Sequence, residues 1–421
     1  MKAKALQALL SPRLTTLFLG AAALALVISI ILFPAQAFQA SLQGLNLWWK
    51  LVFPALLPFL IVTELLRGMG VLHGLGALME PLLRILLRLP GIGGWVLSLG
   101  FTAGMPAGAA AVGTLRTDGL LTREEGERLL AVSHISSPVF MVSVVGVGFL
   151  GSPAAGLSLA IIHYTAALLM AVLHRFDAGR HASVKKYARK GWLSHSFQAF
   201  YEAKARDGRT FGKLLGDAVF FGVQQLFIIG GCMMMFSVMI HALSLSGLQE
   251  ALASAVSLLG TRSNDALSLV SALITGFFEP HLGAYAMAQA ASASHSSFFY
   301  ALLSLMLAWG GLSTHAQVKS LTASTDLRYS RFVLSRIHHG GIAFVLTLLS
   351  WKPLIGWTSQ EQPVLANYRA ASSSWSDGNS SLWPFISPMM LQFGTIILIL
   401  LVLSVFSAFL FYRGRQRHGP L

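Results

Sequence analysis

Apolar runs of membrane-spanning length recur along the chain, at 14–36, 44–66, 129–150, 153–174, 215–243, 297–322, 337–357 and 385–412. A helix needs about 20 residues to cross the hydrocarbon layer, and each run approaches or exceeds that length. Two further apolar stretches, 92–116 and 266–293, are interrupted at mid-length. The first interruption reads Gly100-Phe101-Thr102-Ala103-Gly104-Met105-Pro106-Ala107-Gly108-Ala109, and the second Gly276-Phe277-Phe278-Glu279-Pro280-His281-Leu282-Gly283-Ala284. Halves of about 10–12 residues are too short to cross alone. Each stretch therefore predicts a helical hairpin that enters and leaves by the same face. Broken backbone at membrane depth is tolerated only where it is buried in protein or lines a cavity. The pattern predicts an all-α polytopic membrane protein with about eight transmembrane helices and two re-entrant hairpins.

The order of these segments repeats. The first set runs span (44–66), lateral helix (68–90), hairpin (92–116), span (129–150), span (153–174). The second runs span (215–243), lateral helix (247–260), hairpin (266–293), span (297–322), span (337–357). The first set starts from outside and the second from inside, so the repeats have inverted topology, a plan common among secondary transporters. The expected domains are an extra N-terminal helix (1–43), repeat one (44–174), a basic cytoplasmic loop (175–213), repeat two (214–357), an extracytoplasmic loop (358–384) and a C-terminal span with a basic tail (385–421). Lys2, Lys4 and Arg13 before the first run, with Ala35-Gln36-Ala37 after it, also fit a signal peptide. Twenty apolar residues suit a retained helix better.

Composition agrees with this solvent. Hydrophobic residues make up 55% of the 421 and charged residues only 11%, against about 25% charged in a soluble domain. The net charge of +14 is not a nucleic-acid face: ten of the 30 Lys and Arg lie between Arg175 and Lys213, as expected of a cytoplasmic loop. With both termini in the cytoplasm and both hairpins non-crossing, the basic segments 67–88, 116–128, 175–213, 328–336 and 413–417 all fall inside. Counting either hairpin as a full span would export basic loops. The single cysteine, Cys232, excludes an intrachain disulfide and a cysteine metal site, and reads as packing.

The candidate chemistry lies at the interruptions. After each hairpin comes a span with a polar, small-residue centre: Ser133-His134-Ile135-Ser136-Ser137-Pro138 and Trp309-Gly310-Gly311-Leu312-Ser313-Thr314-His315-Ala316-Gln317. Polar groups at mid-span are costly without a partner. Two hairpin tips and two unwound centres would converge and point helix N-termini inward, which favours an anion such as a carboxylate. The candidate substrate-binding residues are Gly104, Met105, Gly108, His134, Ser136, Ser137, Glu279, His281, Ser313, Thr314, His315 and Gln317. Glu279 stands out as a carboxylate at a hairpin break; its bland alternative is a bond to neighbouring backbone N–H groups. The histidines could equally be satisfied core residues, and the hydroxyls could bond their own helices. Lys319 reads as a snorkelling residue, His163, His241 and His295 as structural, and Met233-Met234-Met235 as packing. No phosphate-binding loop, zinc-hydrolase helix or nucleophile elbow occurs, and no base–nucleophile pair stands out, so an enzyme is not expected.

Pro54-Ala55-Leu56-Leu57-Pro58-Phe59, Glu64-Leu65-Leu66, Glu80-Pro81 with Arg84, Pro90-Gly91, Gly104-Met105-Pro106-Ala107-Gly108-Ala109, Glu124-Glu125-Gly126-Glu127-Arg128-Leu129 and Gly310-Gly311-Leu312-Ser313-Thr314-His315-Ala316-Gln317-Val318 form a set of motifs. Together they resemble the sporulation integral membrane protein family of YlbJ type, whose members carry nucleoside-recognition gate domains. The likeness runs from about Trp48 to Trp351. It implies endospore formation, kinship with concentrative nucleoside transporters, and movement of dipicolinic acid from mother cell to forespore. The Gln-Thr-Glu hairpin of nucleoside carriers is here Ala103-Gly104-Met105-Pro106, which argues against a nucleoside.

The expectation is thus a multi-pass cell-membrane transporter for a small organic anion, most naturally dipicolinate, crossing the outer forespore membrane. No cofactor is expected beyond a coupling proton or sodium ion. The alternatives are a carrier of nucleosides or other metabolites, and a non-transporting gate or scaffold subunit of a sporulation complex. The partners expected are the substrate and the lipid bilayer, with no nucleic acid. A homo-oligomer rests on the resemblance alone, because the related carriers are trimers.

Overall fold

The computed structural model describes residues 12–175, 192–258, 263–290 and 296–360, and contains only helices and turns there. The expected last span (385–412), most of the outer loop and the C-terminal tail lie outside the described residues. Among the described residues five helices are long and apolar enough to cross a membrane: Pro34–Gly68, Pro153–His174, Phe211–Ser244, Ser297–Leu321 and Tyr329–Ser359. The chain is an all-α polytopic membrane protein.

In chain order, α1 is Pro12–Leu32 and α2 is Pro34–Gly68. The stretch between the first two apolar runs, 37–43, is helical, so α2 starts earlier than the hydrophobic pattern indicates and takes in Ala35-Gln36-Ala37. A lateral helix α3 (Val71–Leu82) leads to the first hairpin, α4 (Gly93–Ala103) and α5 (Ala107–Thr117). Then come α6 (Arg123–Ser133), the π-helical α7 (Phe140–Phe149) and α8 (Pro153–His174). Thr122 and Glu125 form a capping box that starts α6. The basic stretch contains a helix absent from the expectation, α9 (Trp192–Asp207). It docks on α3, where the Ser196 hydroxyl donates to the Gly74 carbonyl at 2.7 Å.

The second half is α10 (Phe211–Ser244), lateral α11 (Leu248–Ser257), the hairpin α12 (Ser263–Phe278) and α13 (Pro280–Ala290), then α14 (Ser297–Trp309), α15 (Gly311–Leu321) and α16 (Tyr329–Gln360). The element order of the first half recurs, and equivalent helices pack antiparallel. Along α2 and α10, Ser237 donates to the Ala40 carbonyl, Trp48 Nε1 donates to the Leu226 carbonyl, and Gly68 abuts Leu214. Along α8 and α16, Ser158 meets Thr358 at 2.9 Å near one end, and His174 meets His338 at 3.0 Å near the other.

Two ion pairs tie the halves together on the face expected to be cytoplasmic. Arg116 grips Asp326 at 2.8 Å, and Arg328 grips Glu127 at 2.7 Å. Burial alone would raise the Glu127 carboxyl, but the Arg328 bonds outweigh it and hold the group below the usual carboxylate range.

Candidate functional site

Each interruption has a local cause. Gly104 ends α4 with φ +74°, and Pro106 precedes the first residue of α5. Gly310 and Gly311 take φ of +82° and +73° between α14 and α15, a region where a side chain is strained. The unwound segment is 134–137, and Pro138 is the first helical residue after it, a position that tolerates a residue without an N–H. In the second hairpin, Pro280 starts α13 directly after Glu279.

These four breaks meet. A Cβ on Gly104 would press on the Ser137 backbone at 2.8 Å, and one on Gly310 would reach the Met105 sulfur at 3.4 Å. One on Gly311 would meet the Phe278 carbonyl at 3.0 Å. The second unwound point is thus wedged between both hairpin tips. Around the junction lies a cleft of about 800 Å3, including its open mouth. Ala103 to Ala107, Ser136, Ser137, Phe140, Glu279, His281, Thr314 and Gln317 form one side, and α2 and α10 close it with Phe59, Phe221, Gln225 and Cys232.

Of the residues singled out from sequence, Gly104, Met105, Ser136, Ser137, Glu279, His281, Thr314 and Gln317 line this cleft. Gly108, His134, Ser313 and His315 stand outside its lining. Helical spacing explains the split on α15: residues 314 and 317 share a face, while 313 and 315 flank it. His315 instead contacts the Trp309 carbonyl at 3.1 Å and the Tyr329 hydroxyl at 3.0 Å. His134 is fully buried with its ring edge-on to Phe332, and Gly108 lets the hairpin approach the Ser133 carbonyl.

The Glu279 carboxylate has two partners. Oε1 lies 2.7 Å from His281 Nδ1, and Oε2 accepts the Leu282 N–H at 2.7 Å. It therefore caps α13 while lining the cleft. Ser137 Oγ accepts the Phe140 N–H at 3.3 Å and so caps α7. The backbone of Ser136 is held from behind by α8: its N–H donates to His163 Nε2 at 3.2 Å, and its carbonyl accepts the Tyr164 hydroxyl at 2.9 Å. Its own hydroxyl has no partner among the described residues. His163, read as structural from sequence, thus positions a cleft residue. Gln317 donates toward the Cys232 sulfur at 3.7 Å, joining α15 to α10.

Sequence reasoning passed over Phe59, Phe221, Gln225 and Cys232, because nothing in a continuous apolar helix marks the face turned to a cleft. It also counted Arg336 with the cytoplasmic basic residues. Arg336 is buried within α16, 1% exposed, and donates from Nη1 to the His134 carbonyl at 2.7 Å. Its sequence signals are the apolar residues Phe332, Val333 and Leu334 just before it, the apolar run that starts at Ile337, and His339 three residues on.

Residues 49–153 match the family described as Gate, nucleoside recognition, a region that takes in the first hairpin and the first unwound span. The sporulation integral membrane protein YlbJ of Bacillus subtilis (strain 168) is 34% identical over 366 residues, 86% of this chain and 88% of that protein. The chain belongs to the YlbJ family. Within the family likeness, the gate region supplies Gly104, Met105, Ser136 and Ser137, while Glu279, Thr314 and Gln317 come from the second half.

Proposed function

We propose that this YlbJ-family protein is a secondary transporter of a small organic anion, most directly dipicolinate, across the mother-cell-derived outer forespore membrane during endospore formation. The observation that carries the reading is the meeting of four half-helix N-termini at one cleft: α5, α7, α13 and α15 all begin there. Such ends carry roughly half a positive charge and present backbone N–H groups. Those of α5 and α15 have no side-chain cap. Phe59, Phe140 and Phe221 offer flat apolar contact for a pyridine ring, and the Ser136 hydroxyl and the Gln225 and Gln317 amides supply directional bonds. Glu279 with His281 is the place for a coupling proton or sodium ion.

The test is dipicolinate movement into vesicles carrying the purified protein, under an imposed proton or sodium gradient. Uptake above that of empty vesicles is expected; its absence under both gradients overturns the proposal. The gate-region match favours a second reading, a nucleoside carrier. Competition of nucleosides against dipicolinate separates the two. A scaffold without transport would leave spore dipicolinate unchanged in Glu279→Gln.

A further inference from the structure

Arg336 is a fully buried guanidinium in an apolar helix, and it bonds no carboxylate among the described residues. The other buried acids are spoken for. Glu64 pairs with Arg67 and Arg209, Glu80 with Arg84, Glu125 closes its capping box, Glu127 holds Arg328, and Glu279 holds His281 and the Leu282 N–H. Arg336 instead donates to the carbonyls of Ala131 and His134, at the C-terminal end of α6.

Its remaining contacts set the protonation of the histidines around it. A guanidinium only donates, so His339 Nδ1 accepts from Arg336 at 3.3 Å and its Nε2–H donates to the His163 carbonyl at 2.9 Å. The Ser136 N–H donates to His163 Nε2, so that nitrogen carries no proton. Both rings are therefore neutral. The half-negative end of α6 offsets only part of the guanidinium charge, and a net positive charge remains at the His134 carbonyl, two residues along the chain from Ser136. On the cleft side the lining holds no Lys or Arg among the described residues, and its titratable groups there are Glu279, His281 and Cys232.

We propose that Arg336 is the charge that an anionic ligand meets in this cleft, a fixed cation placed behind the wall on the carbonyl end of α6 rather than within the lining. Two consequences follow from that placement. The cation acts through low-dielectric protein, where charge interactions are stronger than in water. It also offers no direct ion pair that would hold the anion and slow its release. The inference extends the anion-carrier reading to a residue that touches no ligand.

Cys232, the single cysteine, lines the cleft and reports its potential. The rates at which anionic sulfonatoethyl and cationic trimethylammonioethyl methanethiosulfonate modify it are compared as a ratio, which cancels changes in thiol reactivity. The Glu279 carboxylate also acts on Cys232, so the anionic-to-cationic ratio of the unaltered protein is the baseline. Arg336→Gln should lower the ratio on the order of tenfold, as loss of a unit charge in a protein interior implies, while Arg336→Lys should retain most of it. A ratio unmoved in Arg336→Gln, or lowered equally in Arg336→Lys, overturns the proposal; Glu279 is common to all three proteins. A purely structural role would change both rates together. Protection of Cys232 by dipicolinate, scored on the same samples, separates the two readings. A ratio lowered in Arg336→Gln without protection removes dipicolinate as ligand and keeps the charge assignment, whereas protection with a ratio unmoved in Arg336→Gln does the reverse.

Discussion

At the residue scale, the junction at Asp207 and Arg209 is a testable electrostatic unit. Arg209 donates to both Asp207 oxygens and to Asp217 at 2.9 Å, and reaches Glu64 at 3.6 Å, fastening the start of α10 to α2. The Arg209 side-chain bonds hold Asp207 below its usual range. A carboxyl depressed in the folded state stabilises above its unfolded pKa, about 3.9, and that contribution is lost as pH falls through the lower folded value. Asp207→Asn should therefore lower the melting temperature in detergent at pH 6, and the gap to the unaltered protein should close toward pH 3. A gap independent of pH would show that the carboxylate charge is not the stabilising group. Glu279→Gln retains shape but loses the charge that caps α13 and holds His281. Transport should fall at least tenfold, with folded yield largely kept.

At the element scale, the hairpins depend on close backbone approach. A Cβ on Gly283 would strike Gly276, so the arms α12 and α13 touch through two glycines. Gly283→Ala should destabilise by about 1–3 kcal/mol through overpacking. Gly231→Ala on α10, with open space around its Cβ position, should be near neutral. Equal melting temperatures for the two variants would contradict the tight hairpin. The ion pairs between the halves act on elements too. Glu127→Gln and Arg328→Gln should each weaken thermal stability, and the double variant should lose less than the sum, because both remove one interaction. Strict additivity would mean that the pair does not couple the halves.

At the scale of the whole molecule, the inverted order of elements makes a topological prediction. In a Cys232→Ser background, cysteines placed at the exposed positions Ser194, Asp118 and Ser324 should react with an impermeant reagent from the cytoplasmic side. A cysteine at Ser246, also exposed, should react from the opposite side. Asp118 follows the first hairpin and Ser246 follows α10, so labelling of both from one face would break the inverted arrangement.

The alternation of long apolar runs with Gly/Pro-broken ones was enough, by itself, to determine an all-α membrane protein with two hairpins and two unwound spans. Membrane solvent imposes those constraints locally: length, hydropathy and a break in helix hydrogen bonding are all written in contiguous residues. The tips at Gly104 and Glu279, and cleft residues such as Ser136 and Gln317, were legible for the same reason. Tertiary structure alone decided which face of each helix turns inward. It set Thr314 in the cleft and Ser313 beside it, and brought Phe221 and Gln225 from α10 to close the opposite wall. It also carried Arg336 out of an apparent basic loop and onto the carbonyls of α6. Those outcomes depend on the rotation and docking of helices distant in sequence, and no local pattern encodes them.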